Sequence, residues 1–360
     1  MVVINNASTG TITLSTTDKD LSGSGADLAA ALAGTINYAG NVTVSDSSYT
    51  VAQLKAINNG TSGTITLTNP NVNLSGEAAD IVSAFAGSVT THTGDITISD
   101  ANTSDVNATG ITTISTASTG NITVSHNIDI NGSGSQVATA VGHLDTISGS
   151  PTANISGNDY TVTHLVTING AISGAIVLET PNVALSGTVS QFKSAFTGTV
   201  TTHTGTVEIT DANTTDITAT HITDINGTNT GTITVTNTID INGSGSEVAA
   251  AFTAIDTNTG NATANVTGTD YTVAHLKTIN DKTTGAIVLA TPTANLSGEV
   301  ADIVDAFAGT VTTNTGTITI SDAGTTDIQA TDIATINSAI SGAITVSSAI
   351  DINGSGADVA

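Results

Sequence analysis

The chain repeats itself at a long fixed period, and this constrains its fold more than any other feature. The segment Asp-Ile-Asn-Gly-Ser-Gly begins at Asp129 and returns at Asp240 and again at Asp351, so the copies are 111 residues apart. A fixed long period indicates one structural unit that is copied and stacked. We therefore expect neighbouring copies to bury each other's apolar faces.

Each copy divides into two half-repeats, marked by a hydrophobic residue before a Ser-Gly or Asn-Gly pair and spaced by 53 to 56 residues. The marker residues are Leu21, Leu74, Ile130, Leu185, Ile241, Leu296 and Ile352. The predicted half-repeats are 21–73, 74–129, 130–184, 185–240, 241–295 and 296–351, with incomplete repeats at both ends. No composition break or proline-rich linker marks a boundary, so the sequence predicts one continuous array over residues 1–360.

Two local patterns alternate within the half-repeats. Segments such as 94–98 place two apolar residues two positions apart after a glycine, which is typical of a short, half-buried strand. Between these segments apolar residues recur four apart, as at Val248 and Phe252, with alanines between them, which predicts a short helix. A second connector, residues 49–58 and its copies, is too short for periodicity to distinguish a helix from a tight arc.

These patterns together predict a repeat solenoid. Strand–helix rungs would stack along an axis as a parallel β-solenoid with short helices in the connectors. A single rung could not bury its apolar side alone, and the next rung would cover it. The alternative architecture is an array of small α/β repeat domains.

The charge of the chain excludes several classes of partner. There are 5 Lys and Arg residues against 30 Asp and Glu residues, which gives a formal net charge of −25. Nucleic-acid binding needs a basic surface, so we expect no nucleic-acid partner.

No apolar run is long enough to cross a bilayer, so we expect no membrane insertion. Cysteine is absent, which rules out disulfides and cysteine-based metal sites.

Acidic and amide side chains cluster just after one class of predicted strand. Oxygen-rich side chains at a turn can ligate Ca²⁺, so Ca²⁺ is the one cofactor that the sequence suggests. The spacing differs from that of known calcium loops, and Asp and Asn are also ordinary turn residues, so a structural role is the alternative. The residues are Asp100, Asn102, Asp105, Asp211, Asn213, Asp216, Asp322 and Asp327.

Asparagine also recurs after the last apolar residue of the second connector. Stacked asparagines can hydrogen-bond along an array, so we predict a structural ladder and not a catalytic set. Its members are Asn58, Asn169, Asn226, Asn280 and Asn337.

The distribution of the histidines among the copies indicates that they are not catalytic. His92 and His203 occupy equivalent positions, but the third copy has Asn314 there. A general base or ligand would not be needed in some copies only, so we expect polar surface residues. No catalytic set stands out, and we predict that the chain is not an enzyme.

Three stretches resemble the tandem repeats of giant cell-surface and secreted proteins of cyanobacteria. They are residues 49–58 (Tyr-Thr-Val-Ala-Gln-Leu-Lys-Ala-Ile-Asn), residues 21–34 and residues 91–98. The resemblance covers nearly the whole chain. It implies an extracellular structural or adhesive role, and it carries no catalytic residues.

The sequence therefore predicts an extracellular, cell-surface structural protein that forms a stalk, filament or surface layer, with copies of itself as partners. One alternative is an adhesin whose repeats space a binding tip or bind glycans, with a glycan or cell surface as partner. A remote alternative is an ice-binding solenoid, because Thr-x-Thr strands such as Thr317/Thr319 could order water. Glu208 and Val177 interrupt that row of threonines.

Overall fold

The computed structural model describes residues 2–7, 9–10, 12, 16–33 and 38–359. The chain divides into two compact units. The first unit contains Met1–Thr180 and Thr197–Thr201, and the second contains Pro181–Phe196 and Thr202–Ala360.

In the first unit, strands and helices follow one another along the chain. The helices are α1 (Val2–Ala7), α2 (Gly25–Leu32), α3 (Val51–Gly60), α4 (Ala78–Ala84), α5 (Ala108–Ala117), α6 (Gly134–Gly142) and α7 (Val162–Ala171). The strands are β1 (Leu21–Gly23), β2 (Val42–Val44), β3 (Ile65–Leu67), β4 (Leu74–Gly76), β5 (Ile96–Ile98), β6 (Asp105–Asn107), β7 (Ile122–Val124), β8 (Asp129–Gly132), β9 (Thr146–Ile147), β10 (Thr152–Ile155) and β11 (Ile176–Leu178). They form three sheets, in the orders β1-β2-β3, β4-β5-β7-β9 and β6-β8-β10-β11.

The second unit repeats this plan. Its helices are α8 (Val189–Ala195), α9 (Ala219–Thr228), α10 (Gly245–Ala254), α11 (Val273–Asn280), α12 (Val300–Ala306), α13 (Ala330–Ala339) and α14 (Gly356–Val359). Its strands are β12 (Leu185–Gly187), β13 (Val207–Ile209), β14 (Asp216–Thr218), β15 (Ile233–Val235), β16 (Asp240–Gly243), β17 (Thr257–Asn258), β18 (Thr263–Val266), β19 (Ile287–Leu289), β20 (Leu296–Gly298), β21 (Ile318–Ile320), β22 (Asp327–Gln329), β23 (Ile344–Val346) and β24 (Asp351–Asn353). The sheet orders are β12-β13-β15-β17, β14-β16-β18-β19, β20-β21-β23 and β22-β24.

Strand pairing is parallel and keeps the apolar positions in register. Ile96 of β5 lies beside Ile122 of β7, and Ile98 lies beside Val124. All four side chains are buried, whereas Thr97 between the two isoleucines is partly exposed. The prediction of repeated strand–helix units with parallel strands is therefore confirmed. None of the sheets among the described residues closes into a barrel.

Both kinds of connector are helices, which settles the choice between a helix and an arc for residues 49–58. In α3 the buried residues Val51, Leu54 and Ile57 recur three apart and form one face. Thr50 and Gln53 form a capping box at the start of α3. Within each unit, successive helices from α1 to α7 and from α8 to α14 pack on one another. Each helix therefore covers its neighbour in the next strand–helix unit, and one such unit is called a turn below.

Polar links also join successive turns. The hydroxyl of Tyr49 donates to the carbonyl oxygen of Asn69 at 2.7 Å, and burial, assisted by the charge of Asp46, raises the pKa of Tyr49 to about 12. Tyr49 therefore stays protonated as a donor. Lys55 of α3 forms an ion pair with Asp80 of α4. No helix in the described part of the chain is long and apolar enough to cross a bilayer.

Candidate functional site

The first aspartate of each candidate calcium set accepts a hydrogen bond from the backbone N–H at the start of a helix. Asp100 follows β5 and is only 8% exposed, and its Oδ2 accepts the backbone N–H of Ala78, the first residue of α4. The equivalent pairs are Asp211 with Val189 at 2.7 Å and Asp322 with Val300 at 2.8 Å. A carboxylate at this place accepts a hydrogen bond from an N–H group that has no partner within the helix. Its negative charge also interacts favourably with the positive end of the helix dipole.

The same arrangement occurs at the alternate helices, which the sequence did not suggest. Asp46, Asp159 and Asp270 each accept the N–H of the first residue of a helix. Their partners are Gly25 of α2 at 3.0 Å, Gly134 of α6 at 3.0 Å and Gly245 of α10 at 3.1 Å. In every case the aspartate comes 21 to 25 residues after the helix residue, so it belongs to the next turn. Six of the chain's 30 acidic residues therefore link one turn to the next in this way.

The remaining members of the candidate calcium sets have partners of their own. The Oδ1 atoms of Asn102 and Asn213 accept backbone N–H groups of Asn127 and Thr238, both at 2.9 Å. The three second aspartates accept side-chain amides: Asp105 from Asn131 at 2.8 Å, Asp216 from Asn242 at 3.0 Å and Asp327 from Asn353 at 2.9 Å. Among the described residues no group of three or more acidic or histidine side chains is placed to hold a metal ion. Calcium binding stays a prediction.

Three of the ladder asparagines join consecutive turns through backbone carbonyl oxygens. Asn58, Asn169 and Asn280 lie in α3, α7 and α11. Their Nδ2 atoms donate to the carbonyl oxygens of Ser83 at 2.8 Å, Thr197 at 2.8 Å and Asp305 at 2.6 Å. Asn226 and Asn337 occupy α9 and α13. These three bonds link successive turns, and they end on the backbone and not on other asparagine side chains.

A ladder of side-chain amides does occur, on different residues. Asn154 of β10 donates to Asn131 of β8 at 2.8 Å, and Asn131 donates to Asp105 of β6 at 2.8 Å. Parallel in-register pairing places these three side chains in one row. The recurring Asp-Ile-Asn-Gly segment, which marks the period, therefore contributes to this row.

The expectation that His92 and His203 lie on the surface is wrong, because both are 0% exposed. The Nε2 atom of each lies 2.7 Å from a backbone carbonyl oxygen, that of Val72 and Val183 respectively. The Nδ1 of His92 lies 3.2 Å from Ser118 Oγ. A neutral imidazole suits this site, with Nε2 donating and Nδ1 accepting from the hydroxyl. The histidines therefore satisfy buried polar groups at a corner of the turn.

His92 should make stability depend on pH. Burial lowers its pKa below 6.5, although hydrogen bonding with the Val72 and Gly94 backbone opposes the shift. The unfolded chain binds the proton more readily than the folded chain. The stability that neutral His92 contributes is therefore complete above pH 6.5, and it is lost as the pH falls through the pKa of His92 in the folded chain. His92→Asn, which copies Asn314, should weaken this dependence. Urea midpoints at about pH 5 and about pH 7 measure it. Exposed His126→Asn is the control, and an equal effect of both variants would contradict the prediction.

Asp159 should contribute a second dependence at lower pH. Partial desolvation acts to raise its pKa, but hydrogen bonds from the Gly134 N–H and from the Ser133 and Ser135 hydroxyls prevail and lower the pKa below 3.8. The stabilisation is present above pH 3.8 and is lost as the pH falls through the folded pKa. Asp159→Asn should therefore cost about 1 kcal/mol at neutral pH and less in acid. Urea unfolding at about pH 6 and about pH 3 tests this, with exposed Asp18→Asn as control. A pH-independent loss would contradict the prediction.

The chain matches no protein-family model, and no curated protein matches it significantly. The roles of its residues therefore rest on the contacts described above. Those contacts are recurrent links between one turn and the next, made by Asp caps, Asn amides and buried histidines.

Proposed function

We propose that this chain is an extracellular structural protein whose turns stack as a parallel β-solenoid with helical connectors, and that it forms a stalk, filament or surface layer. Its function would reside in length and stiffness, and its main partners would be copies of itself. The proposal assigns no catalytic role to any residue. The resemblance to cyanobacterial surface repeats supports the location, and the regularity of the turns supports the architecture.

The observation that carries the proposal is the recurrence of one close backbone contact at the period of the sequence. A Cβ placed at Gly120 would lie 1.9 Å from the carbonyl oxygen of Gly94. The equivalent distances are 2.0 Å from Gly231 to Gly205 and 1.9 Å from Gly342 to Gly316. The glycine backbones before the strands of successive turns approach this closely in every copy. Such a recurring contact favours repeated packing along one axis over independent domains.

The outward strand residues favour structural use over recognition of a ligand. The hydroxyls of Thr206 and Thr232 lie 3.0 Å apart, and so do those of Thr319 and Thr345. These hydroxyls bond to each other along the row. Glu208 and the 39% exposed Val177 lie in the equivalent outward rows. Such rows suit lateral and axial packing better than an ordered-water surface.

Inserting one further copy of residues 241–351 tests the architecture. One copy adds four helices and therefore four turns, as α4 to α7 do between residues 74 and 184. Paired strands lie about 4.8 Å apart and packed helices about 8–10 Å apart, so four turns should lengthen a stacked array by between about 19 and 40 Å at constant width. Small-angle scattering and negative-stain images measure both dimensions. A Gly/Ser insert of equal length is the control. Width that grows with the insert, or separate beads in the images, would overturn the proposal.

Location and assembly need a separate test on cells that produce the protein. Antibody labelling of intact cells should detect the chain at the surface, and labelling should not increase after the cells are made permeable. Imaging of the released material should find filaments or sheets. Labelling that appears only after permeabilisation would overturn the extracellular proposal, whatever the rod measurement gives.

A further inference from the structure

Two equivalent corners, one in each unit, contain a buried histidine with different partners. His203 stands 111 positions after His92, and both side chains are 0% exposed. Each ring places Nε2 2.7 Å from a backbone carbonyl oxygen, and each lies beside a phenylalanine ring, with centroids 5.5 and 5.7 Å apart. The partner of Nδ1 differs, because Ser118 occupies the first corner and Asn229 the second. The residue that faces Nδ1 therefore distinguishes the two corners.

The partners of His92 are satisfied by a neutral imidazole. Its Nε2 donates to the carbonyl oxygen of Val72, and its Nδ1, 3.2 Å from Ser118 Oγ, accepts from the hydroxyl. The same Oγ accepts the N–H of Gly120 at 3.1 Å. Burial lowers the pKa of His92, which agrees with a neutral ring. Because a hydroxyl can both donate and accept, this corner needs no second ring proton.

The partners of His203 require one more proton. Its Nδ1 lies 2.8 Å from Asn229 Oδ1, and its Nε2 lies 2.7 Å from the carbonyl oxygen of Val183, so both ring nitrogens face acceptors. The Nδ2 of Asn229 donates to the carbonyl oxygen of Gly231 at 2.8 Å, and this contact assigns the orientation of the amide. Reversing the amide would place two oxygens against each other at Gly231.

A neutral ring therefore cannot satisfy this corner in either orientation of the amide. It has one N–H, and three contacts each need a proton between their atoms, whereas an imidazolium ring and the amide together supply all three. Asn229 is only 1% exposed, so solvent does not relieve the contact that is left without a proton.

No carboxylate balances a charge on His203. The ring takes part in none of the ion pairs among the described residues. Asp211, which follows β13, accepts the N–H of Val189. The other titratable groups on the adjoining β13, α8 and α9 are at least partly exposed, and they are Lys193, Glu208, His221 and Asp224. A buried cation without a counterion is unfavourable, so the hydrogen bonds alone favour the proton and its binding depends on pH.

We propose that the corner formed by His203 and Asn229 is a proton-binding site, which holds an imidazolium ring under mildly acidic conditions in which His92 stays neutral. The bound proton lies on Nδ1 and donates to Asn229 Oδ1. When it leaves, one of the three contacts loses its hydrogen bond, so the pH sets how firmly this corner is held. This inference does not depend on the proposed structural function.

Imidazole NMR of the full chain with isotope-labelled histidine tests the protonation directly. The variants His92→Asn and His203→Asn, which copy Asn314, assign the two rings. We expect His203 to lose its second ring proton about 1 pH unit or more above His92, which is about a ten-fold difference in proton affinity. Exposed His126 is the internal control, and its signals should be the same in every variant. A His203 ring that is neutral throughout the range in which His92 is neutral would overturn the proposal.

Exchanging the two Nδ1 partners separates hydrogen bonding from burial. With Asn229→Ser, which copies Ser118, His203 should lose its second proton at a lower pH, close to that of His92. The reverse exchange, Ser118→Asn, should move His92 toward the behaviour of His203. Circular dichroism checks that each variant is folded, and the spectra of the parent chain decide the matter where one is not.

Urea unfolding gives a second measurement. Acidification from about pH 8 to about pH 6 should stabilise the parent chain relative to Asn229→Ser, because only the folded parent binds the proton more tightly and the unfolded chains are alike. The proposal fails if neither exchange changes the titration of the ring it faces, or if the stability difference does not depend on pH.

Discussion

Replacing Gly120 with alanine should lower the free energy of unfolding by about 3 kcal/mol or more. The new Cβ would lie 1.9 Å from the carbonyl oxygen of Gly94, a contact that no side-chain rotation can relieve because both partners are backbone. The corner would have to move, which would disturb the pairing of β5 with β7 on the same two turns. Gly231→Ala should behave alike in the second unit, where the corresponding distance to the Gly205 oxygen is 2.0 Å.

Urea unfolding followed by circular dichroism measures the loss, and hydrogen exchange locates it. Exchange should accelerate first in β5 and β7. Gly142→Ala is the matched control, because this glycine lies in α6 and a Cβ there meets nothing within 4 Å. Alanine favours a helix over glycine by up to about 1 kcal/mol, so the control should be neutral or slightly stabilising. Similar losses in both variants would mean that the close approach is not what requires glycine.

The elements that sequence reasoning predicted are those encoded by local spacing. Two apolar residues two apart, as at Ile96 and Ile98, indicated a strand, and both side chains are buried. Val248 and Phe252 indicated a helix, and α10 contains both. The 111-residue period predicts the remaining elements, because an element that is found in one copy is expected at the same place in the others.

The roles of the acids could not be predicted in the same way. From its local sequence, Asp100 is either an ordinary turn residue or a metal ligand. Its partner Ala78 lies 22 positions earlier, and the residues next to Asp100 give no indication of that contact. Only the packing of successive strand–helix units brings the two together. One signal was present: an aspartate recurs one turn after the start of each alternate helix, at Asp46, Asp159 and Asp270 as well. A cap that crosses between turns would explain that recurrence, whereas a calcium site does not need it.

The misplacement of the histidines has a different cause. Its polarity and its replacement by Asn314 in the third copy favour a surface position for His92. The register of the corner, two residues before a glycine, was the better guide, since Ile172 and Ile340 occupy the same place and are buried. The buried isoleucines at this position indicate that His92 faces inward too.

Phe252→Ala should destabilise the second unit by about 3–5 kcal/mol, the range for removing a buried aromatic ring. Phe252 is 0% exposed in α10, which packs on α9, α11, β16 and β18. Val141 stands 111 positions earlier in α6 and is also buried. Phe252→Val, which copies it, should cost less, about 2 kcal/mol, because part of the cavity stays filled.

Hydrogen exchange should also reveal how far the damage spreads. If each turn is stabilised chiefly by its neighbours, Phe252→Ala should reduce protection in α9, α10 and α11 and leave residues 51–60 of the first unit unchanged. The substitution Ala250→Ser, at an exposed position of the same helix, should stay within about 0.5 kcal/mol of the parent chain. Equal loss of protection in both units would mean that the chain unfolds as one cooperative body, and nearest-neighbour packing would then be the wrong account of its stability.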